Sequence, residues 1–248
     1  YFFTVVFTFP LMFLFFKKYL VWTDKPKLQL IRGLILLTAN ICFFYSISVI
    51  SLPKALTLAF VAPLVVTAFS PIFLGETVGY RRWTAVIIGF IGSLVVIRPG
   101  FVEINLASLA ALGTGIMYGF YLIITRKLST SDNPLLTLLL TGVVGAIIAT
   151  TFMPFVWVSP TFNQWSIMAA IGLFACIGHL FIILSLKYAD ASKLAPFSYF
   201  EIVTNIIIAY YFFGDFLDSW TFLGLFIIVF SGIYISRREN IVRTSKYR

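Results

Sequence analysis

The sequence predicts an all-α polytopic membrane protein, and three observations lead to this fold class. Hydrophobic residues make up 60% of the 248 residues and charged residues only 11%, whereas a water-soluble domain carries about 25% charged residues. The apolar residues form long runs, most of them near the roughly 20 residues that a helix needs to cross a bilayer. The runs lack the two-residue alternation of barrel strands, so they are predicted to be helices.

Nine apolar segments follow one another along the chain. They are 1–16, 33–52, 55–74, 83–97, 107–125, 135–158, 165–186, 194–213 and 220–236. All five tryptophans fall at or just beyond segment ends, where the aromatic belts of membrane proteins lie. We therefore expect nine transmembrane helices in this chain.

The positive charges predict the orientation of these helices. If the segments alternate across the membrane, 16 of the 18 Lys and Arg residues, Arg32 among them, fall on one side and only Lys54 and Arg98 on the other. Short cytoplasmic loops are enriched in Lys and Arg, so the side with 16 is predicted to be cytoplasmic, including the basic tail 237–248. The net charge of +9 is spread over these short clusters, which argues against nucleic-acid binding.

An internal repeat predicts how the helices are arranged. Segments three and eight both end in a glycine and an acid, Gly75–Glu76 and Gly214–Asp215, and 139 residues separate Gly75 from Gly214. Segments five positions apart run in opposite directions, as in transporters built from inverted repeats. We expect residues 1–100 to form helices 2–5 of a ten-helix fold and residues 101–236 helices 6–10, with the first helix missing from this chain. Glu76 and Asp215 are expected to have structural or gating roles.

The eighth segment carries a carboxylate near its centre. An acid at mid-membrane costs at least about 2.5 kcal/mol and is by default a candidate functional residue that faces a cavity. Asn205 lies one turn after Glu201, and Ser198 lies one turn before it. Residues three and four apart share a helix face, so Ser198, Glu201 and Asn205 are predicted to form the floor of a polar pocket.

Other polar side chains fall inside apolar segments, and four of them are candidate substrate ligands: Asn40, Tyr118, Tyr121 and His179. Each also has a structural interpretation. Asn40 could form an interhelical hydrogen bond, the tyrosines could be aromatic packing, and His179 could be a packed histidine. Only one histidine is present, and the two cysteines lie apart without neighbouring ligands. We expect no metal site, no cofactor and no disulfide framework.

Two stretches of the chain resemble a known family. Residues 196–239, PFSYFEIVTNIIIAYYFFGDFLDSWTFLGLFIIVFSGIYISRRE, resemble the last two helices of the EamA family of the drug/metabolite transporter superfamily. Residues 62–100, with FLGETVGYRRWTAVIIGFIGSLVVIRPG, resemble the end of its first repeat. The resemblance covers essentially the whole chain. It implies a ten-helix, two-repeat carrier of the bacterial inner membrane that moves small organic metabolites by alternating access.

The sequence therefore predicts a secondary transporter of a small polar metabolite, such as an amino acid, a vitamin or an S-adenosylmethionine-like compound, with Glu201 as charged anchor or proton carrier. Tyrosine walls suit a cationic group on the substrate. The lipid bilayer and the substrate are the expected partners, and a proton is the candidate coupling ion. Two alternatives stay open, a membrane-embedded enzyme and a non-transporting ligand-binding subunit. The sequence does not predict the oligomeric state.

Overall fold

A computed structural model describes residues 1–16, 23–75, 79–97, 105–188, 204–205, 207–212, 214 and 217–246, and it describes no side chains at 14–16, 81–82 and 235–246. All regular structure within these residues is helical, which confirms the predicted all-α class. The helices are α1 Phe2–Phe16, α2 Pro26–Ile47, α3 Leu52–Ala59, α4 Ala62–Leu74, α5 Tyr80–Ile97, α6 Leu106–Leu128, α7 Pro134–Val156, α8 Phe162–Tyr188, α9 (204–205 and 207–212) and α10 Ser219–Lys246.

Five stretches in the described part of the chain are long and apolar enough to cross a membrane. They are Pro26–Ile47, Leu52–Leu74, Leu106–Leu128, Pro134–Val156 and Phe162–Tyr188, and shorter apolar helices cover Phe2–Phe13, Trp83–Ile97 and Ser219–Tyr234. A bilayer core of about 30 Å explains the length of the first group, because a helix rises 1.5 Å per residue. The chain is therefore a polytopic membrane protein.

One predicted helix boundary is wrong, and the error affects the interpretation of the candidate functional site. Helix α2 begins at Pro26, whereas the apolar run that marks it in the sequence begins only at Gly33. The prediction started the segment after its last charge and so assigned Arg32 to a cytoplasmic loop. Arg32 instead lies inside α2, about 9 Å along the axis from Pro26, and its side chain is fully buried. At the other end of the chain, α10 continues to Lys246, into the residues predicted as the tail.

The third segment is a bent helix. Helix α3 ends at Ala59 and α4 begins at Ala62, with Pro63 at the second residue of α4. Proline has no N–H, so the carbonyl of Ala59 lacks its partner four residues later. Gly115 of α6 lies against this carbonyl, and a Cβ at Gly119 would lie only 3.0 Å from the carbonyl oxygen of Ala62. The bend therefore packs on a glycine face of α6.

The tryptophans that the structure describes lie where the aromatic-belt prediction places them. Trp83 is in the first turn of α5, Trp157 directly follows α7, and Trp165 and Trp220 are in the first turns of α8 and α10. All four side chains are exposed. Amphipathic rings at helix ends are favoured at the interface between lipid and water.

The chain forms two compact units. Unit 1 comprises Tyr1–Leu37 and Ile124–Tyr188, and unit 2 comprises Thr38–Ile123 and Ala189–Arg248. In unit 1, α1 packs on α7 and α8, and the buried apolar side chains at this packing are Met12, Leu135, Leu136, Leu138, Leu139, Cys176 and Ile183. Glycines let the backbones approach, since Gly33 of α2 lies against Val144 of α7 and Gly172 of α8 lies against Phe3 of α1.

In unit 2, helices α5 and α10 form the most extensive helix pair. Two glycines make this close crossing possible, because a Cβ at Gly92 would lie 3.0 Å from the carbonyl oxygen of Gly224, and a Cβ at Gly224 would lie 2.7 Å from that of Gly92. Lipid tails are as apolar as the helix surfaces, so small residues that bring backbones together supply much of the association energy.

We predict that Gly92→Val destabilises unit 2 by about 1–3 kcal/mol, because the new side chain must displace Ile227 or the α10 backbone. Thermal unfolding in detergent micelles measures the change. Gly113→Val in α6 is the matched control, because no atom lies within 4 Å of a Cβ at that position. Equal unfolding temperatures for the two variants would contradict the assigned role of Gly92.

Candidate functional site

Four residues singled out in the sequence lie outside the described residues. They are Ser198, Glu201, Glu76 and Asp215. Of the three residues predicted to form the pocket floor, the structure describes only Asn205, which is half-buried on α9. Ala209, one turn later, is fully buried. Because residues four apart share a helix face, Asn205 belongs to the face of α9 that turns into the protein.

Tyr118 and Tyr121 form one aromatic platform on α6. Their ring centroids are 5.5 Å apart and the ring planes differ by 19°, which is a stacked arrangement. Tyr121 is fully buried, whereas Tyr118 is half-buried. The stack therefore has a fully buried inner ring and a partly accessible outer ring.

Asn40 lies on α2 next to Ala39, which contacts α6. The hydroxyl of Thr114 donates to the carbonyl oxygen of Ala39 at 3.2 Å, so α2 and α6 are in direct contact there. Thr114 and Tyr118 are four residues apart and share a helix face. The structure thus brings the turn of α2 that carries Ala39 and Asn40 into contact with α6 one turn before Tyr118, within unit 2, to which Asn205 also belongs.

His179 belongs to unit 1, where it is half-buried in α8. It interacts electrostatically with the guanidinium of Arg32. Sequence reasoning treated His179 as an isolated histidine among apolar residues and missed this partner, because Arg32 had been assigned to a loop.

Arg32 is the centre of a buried polar group in unit 1. Its Nε donates to the hydroxyl of Thr125 at 2.7 Å, and its Nη1 donates to the carbonyl oxygen of Thr137 at 3.1 Å and to the hydroxyl of Thr141. These bonds join α2, α6 and α7. A cation in a membrane helix costs several kcal/mol unless the bundle satisfies it, so the three threonines account for how this charge is tolerated.

A buried carboxylate lies next to this group, in the loop between α6 and α7. Asp132 is 7% exposed. Its Oδ2 accepts a hydrogen bond from the hydroxyl of Thr23 at 2.5 Å and another from the amide of Gln29 at 2.6 Å. The Gln29 amide also donates to the hydroxyl of Thr137 at 3.0 Å. Gln29 thus binds the loop carboxylate of Asp132 and shares Thr137 with Arg32, so these two residues of α2 link the loop to the buried polar group.

Sequence reasoning missed this polar group, although the sequence contains one usable signal. Gln29 and Arg32 are at helical spacing and therefore share a face of α2. Thr137 and Thr141, four residues apart, likewise share a face of α7. Two such polar faces in an apolar chain predict contact between their helices, since polar groups inside a membrane must find partners in the protein. Within the described residues no group of three or more His, Cys, Asp or Glu side chains could hold a metal ion.

Comparisons with known proteins find transporters among the relatives of this chain. The chain is 24% identical over 232 residues to an S-adenosylmethionine uptake transporter of Rickettsia bellii, covering 94% of this chain and 80% of that protein. It is 29% identical to a riboflavin transporter of Vibrio cholerae, covering 75% and 63%, and 25% identical to the pseudopaline exporter CntI of Pseudomonas aeruginosa, covering 85% and 75%.

One solved crystal structure has the same fold, with a TM-score of 0.67 and 17% identity, covering 94% of this chain and 84% of that one. The model of the EamA-like transporter family matches residues 1–98 and 105–237, which confirms the resemblance found in the sequence. The relatives are transporters, which confirms that the chain is not an enzyme. The chain belongs to the EamA-like transporter family.

Proposed function

We propose that the protein is a secondary active transporter that moves a small polar organic metabolite across the bacterial inner membrane by alternating access. The observation that supports the proposal is that the half-buried side chains of Asn40 and Tyr118 lie on membrane helices α2 and α6, which are in contact at Ala39 and Thr114. Polar groups at such positions are costly in an apolar bundle. A hydrogen-bonding amide and a partly accessible aromatic ring are groups by which a polar ligand can be recognised.

The proposed transport mechanism needs two inverted repeats, and three pairs of residues support them. Gly75 and Gly214 both end helices with positive φ, 70° and 67°, and 139 residues separate them. The same interval separates Gly33 from Gly172, which make matching contacts between α2 and α7 and between α8 and α1. It also separates Asn40 from His179. On this proposal Asn40 and His179 are equivalent polar positions of the two repeats.

The packing supports the same symmetry. In the proposed ten-helix numbering α5 and α10 are the last helices of their repeats, and these two pack on each other. Helices α1 and α7 are likewise equivalent and also pack together. Equivalent helices meet in this way when they lie around a pseudo-twofold axis, which is the arrangement of inverted-repeat transporters with substrate sites near the midplane.

The substrate class follows from the charges that the proposed site would offer. Glu201 is spaced four residues before Asn205, so the sequence predicts it on the same inward face of α9. A carboxylate combined with the partly accessible ring of Tyr118 would favour a substrate with an ammonium or sulfonium group. The relatives named for S-adenosylmethionine uptake support this choice, and we propose Glu201, Asn205, Asn40, Tyr118, Tyr121, Ser198 and His179 as the substrate-binding residues.

We predict that Glu201→Gln lowers uptake of radiolabelled S-adenosylmethionine into proteoliposomes at least about tenfold, equivalent to about 1.4 kcal/mol. The physical reason is loss of the charge that anchors the cation or carries the proton. Glu103→Gln, in the sequence between α5 and α6, is the control. Unchanged uptake with unchanged pH dependence in Glu201→Gln would refute the assigned role, and binding without flux in the wild type would favour a non-transporting subunit.

We predict that Tyr118→Leu weakens binding of a cationic substrate about tenfold, because it removes the ring face but keeps the bulk. Tyr118→Phe retains the ring and should bind nearly as well as the wild type. Isothermal titration of the purified protein in detergent compares the two variants. Equal affinities for the leucine and phenylalanine variants would show that the ring face contributes nothing to binding.

We further propose that the basic C-terminus lies in the cytoplasm. A cysteine introduced by Ser245→Cys should then react with a membrane-impermeant maleimide only after spheroplasts are permeabilised. Ser51→Cys, exposed between α2 and α3, should react in intact spheroplasts. The opposite labelling pattern would reverse the proposed orientation.

A further inference from the structure

Three separate parts of the chain meet at one end of unit 1: the start of α2, the α6–α7 loop and the end of α8. Arg126, in the last turn of α6, donates to the carbonyl oxygen of Leu186 at 2.5 Å, and the hydroxyl of Ser129 donates to the same oxygen at 3.2 Å. Later in the loop, the hydroxyl of Ser131 accepts a hydrogen bond from Lys25 at 3.3 Å. The loop is therefore in contact with both α8 and the start of α2.

The side chains at this end of unit 1 are strongly basic. The cations that the structure describes there are Lys25, Lys27, Arg126, Lys127 and Lys187, and all four lysines are exposed. The carboxylates in the described residues of unit 1 are those of Asp24 and Asp132. Asp132 is buried and accepts hydrogen bonds from Thr23 and Gln29, so Asp24 is the one exposed carboxylate among these five cations.

The rest of unit 1 carries little charge. Helix α1, helix α7 and residues 162–186 of α8 contain no Lys, Arg, Asp or Glu, and Arg32 is enclosed by threonines. The orientation of a membrane protein depends on how many Lys and Arg residues each loop contains, and this does not require the loops to meet. In unit 1 the basic segments do meet, so their positive charges act together on one ligand.

Exposed apolar side chains continue from these cations along α2 and α8. On α8, the exposed rings of Phe181 and Tyr188 are seven residues apart and share a helix face, and Lys187 directly precedes Tyr188. On α2, the exposed side chain of Leu30 lies one turn after Lys27. Tyrosine and lysine at the end of an apolar face are typical of the boundary between lipid tails and headgroups. A ligand with both acyl chains and a negative headgroup matches this surface.

We propose that this basic end of unit 1, formed by Lys25, Lys27, Arg126, Lys127 and Lys187, binds the phosphate headgroup of an anionic phospholipid whose acyl chains lie along the exposed faces of α2 and α8. Ammonium and guanidinium groups form charge-assisted hydrogen bonds with phosphate oxygens. The orientation predicted from the sequence places this end in the cytoplasmic leaflet, where anionic lipids attract basic segments. A free phosphate ion shares the headgroup chemistry, but it would leave the neighbouring apolar faces unused.

Native mass spectrometry of the full chain in detergent, titrated with phosphatidylglycerol, tests the proposal. Lys27→Gln, Lys127→Gln and Lys187→Gln should each weaken lipid binding about fivefold, the factor expected for one lysine at an anionic surface, and the triple variant at least about tenfold. Lys54→Gln removes the same charge from α3 in unit 2 and should bind like the wild type. Equal affinities for the triple variant and Lys54→Gln would overturn the proposal. The exposed single variants test it even if the triple variant does not fold.

Two further titrations identify which part of the lipid is recognised. Phosphatidylcholine with the same acyl chains should bind the wild type at least about tenfold more weakly, and equal binding of the two lipids would refute recognition of the negative headgroup. Inorganic phosphate should displace phosphatidylglycerol no better than chloride at the same ionic strength, which controls for screening. Stronger displacement by phosphate would assign the site to a soluble anion and overturn the lipid proposal. The assay measures lipid binding alone, so its result is independent of the proposed transport function.

Discussion

The constraint on which the rest of this structure depends is that the bilayer offers no hydrogen bonds, so each polar group inside it must find a partner in the protein. Arg32 shows the constraint most directly. Its fully buried guanidinium is held by Thr125, Thr137 and Thr141, and satisfying that one charge requires α2, α6 and α7 to meet at a fixed register. The neighbouring bonds among Thr23, Gln29 and Asp132 extend the same requirement to the start of α2 and the α6–α7 loop.

Apolar surface is abundant in this chain, and it therefore specifies little about which helices pair. An apolar helix is surrounded equally well by lipid and by protein, so such helices associate where their backbones can come close. These close approaches occur at glycines: at Gly92 and Gly224 between α5 and α10, and at Gly33 and Gly172 in unit 1. Gly115 has a related role, because it accommodates the carbonyl that Pro63 leaves without an intrahelical partner.

The polar side chains belong to two kinds of environment. Those of unit 2, Asn40 and Tyr118, lie on facing helices with part of their surface accessible, as expected of residues that meet a ligand. Arg32 and Asp132 in unit 1 are enclosed and bound to neighbouring side chains. The enclosed groups hold segments of unit 1 together through their hydrogen bonds, whereas a partly accessible group can contact a metabolite.

The sequence alone determined the all-α membrane class and the family. Length, apolar composition and tryptophan position depend on the thickness and polarity of the bilayer, and these act on each segment separately, so they can be seen in one sequence. The motifs 62–100 and 196–239 were sufficient to recognise the EamA family, and this was confirmed. The inverted repeat and the pocket floor at Ser198 and Glu201 remain predictions.

Only the tertiary structure decided which polar residues meet. Arg32 appeared to belong to a loop because a charge ends an apolar run, yet threonines more than 90 residues away along the chain allow it to lie inside a helix. His179 appeared isolated for the same reason. Contacts between distant segments depend on the rotation and register of the helices. A mostly apolar helix surface fits many rotations and registers, so the few polar groups and glycines select among them by the partners they require.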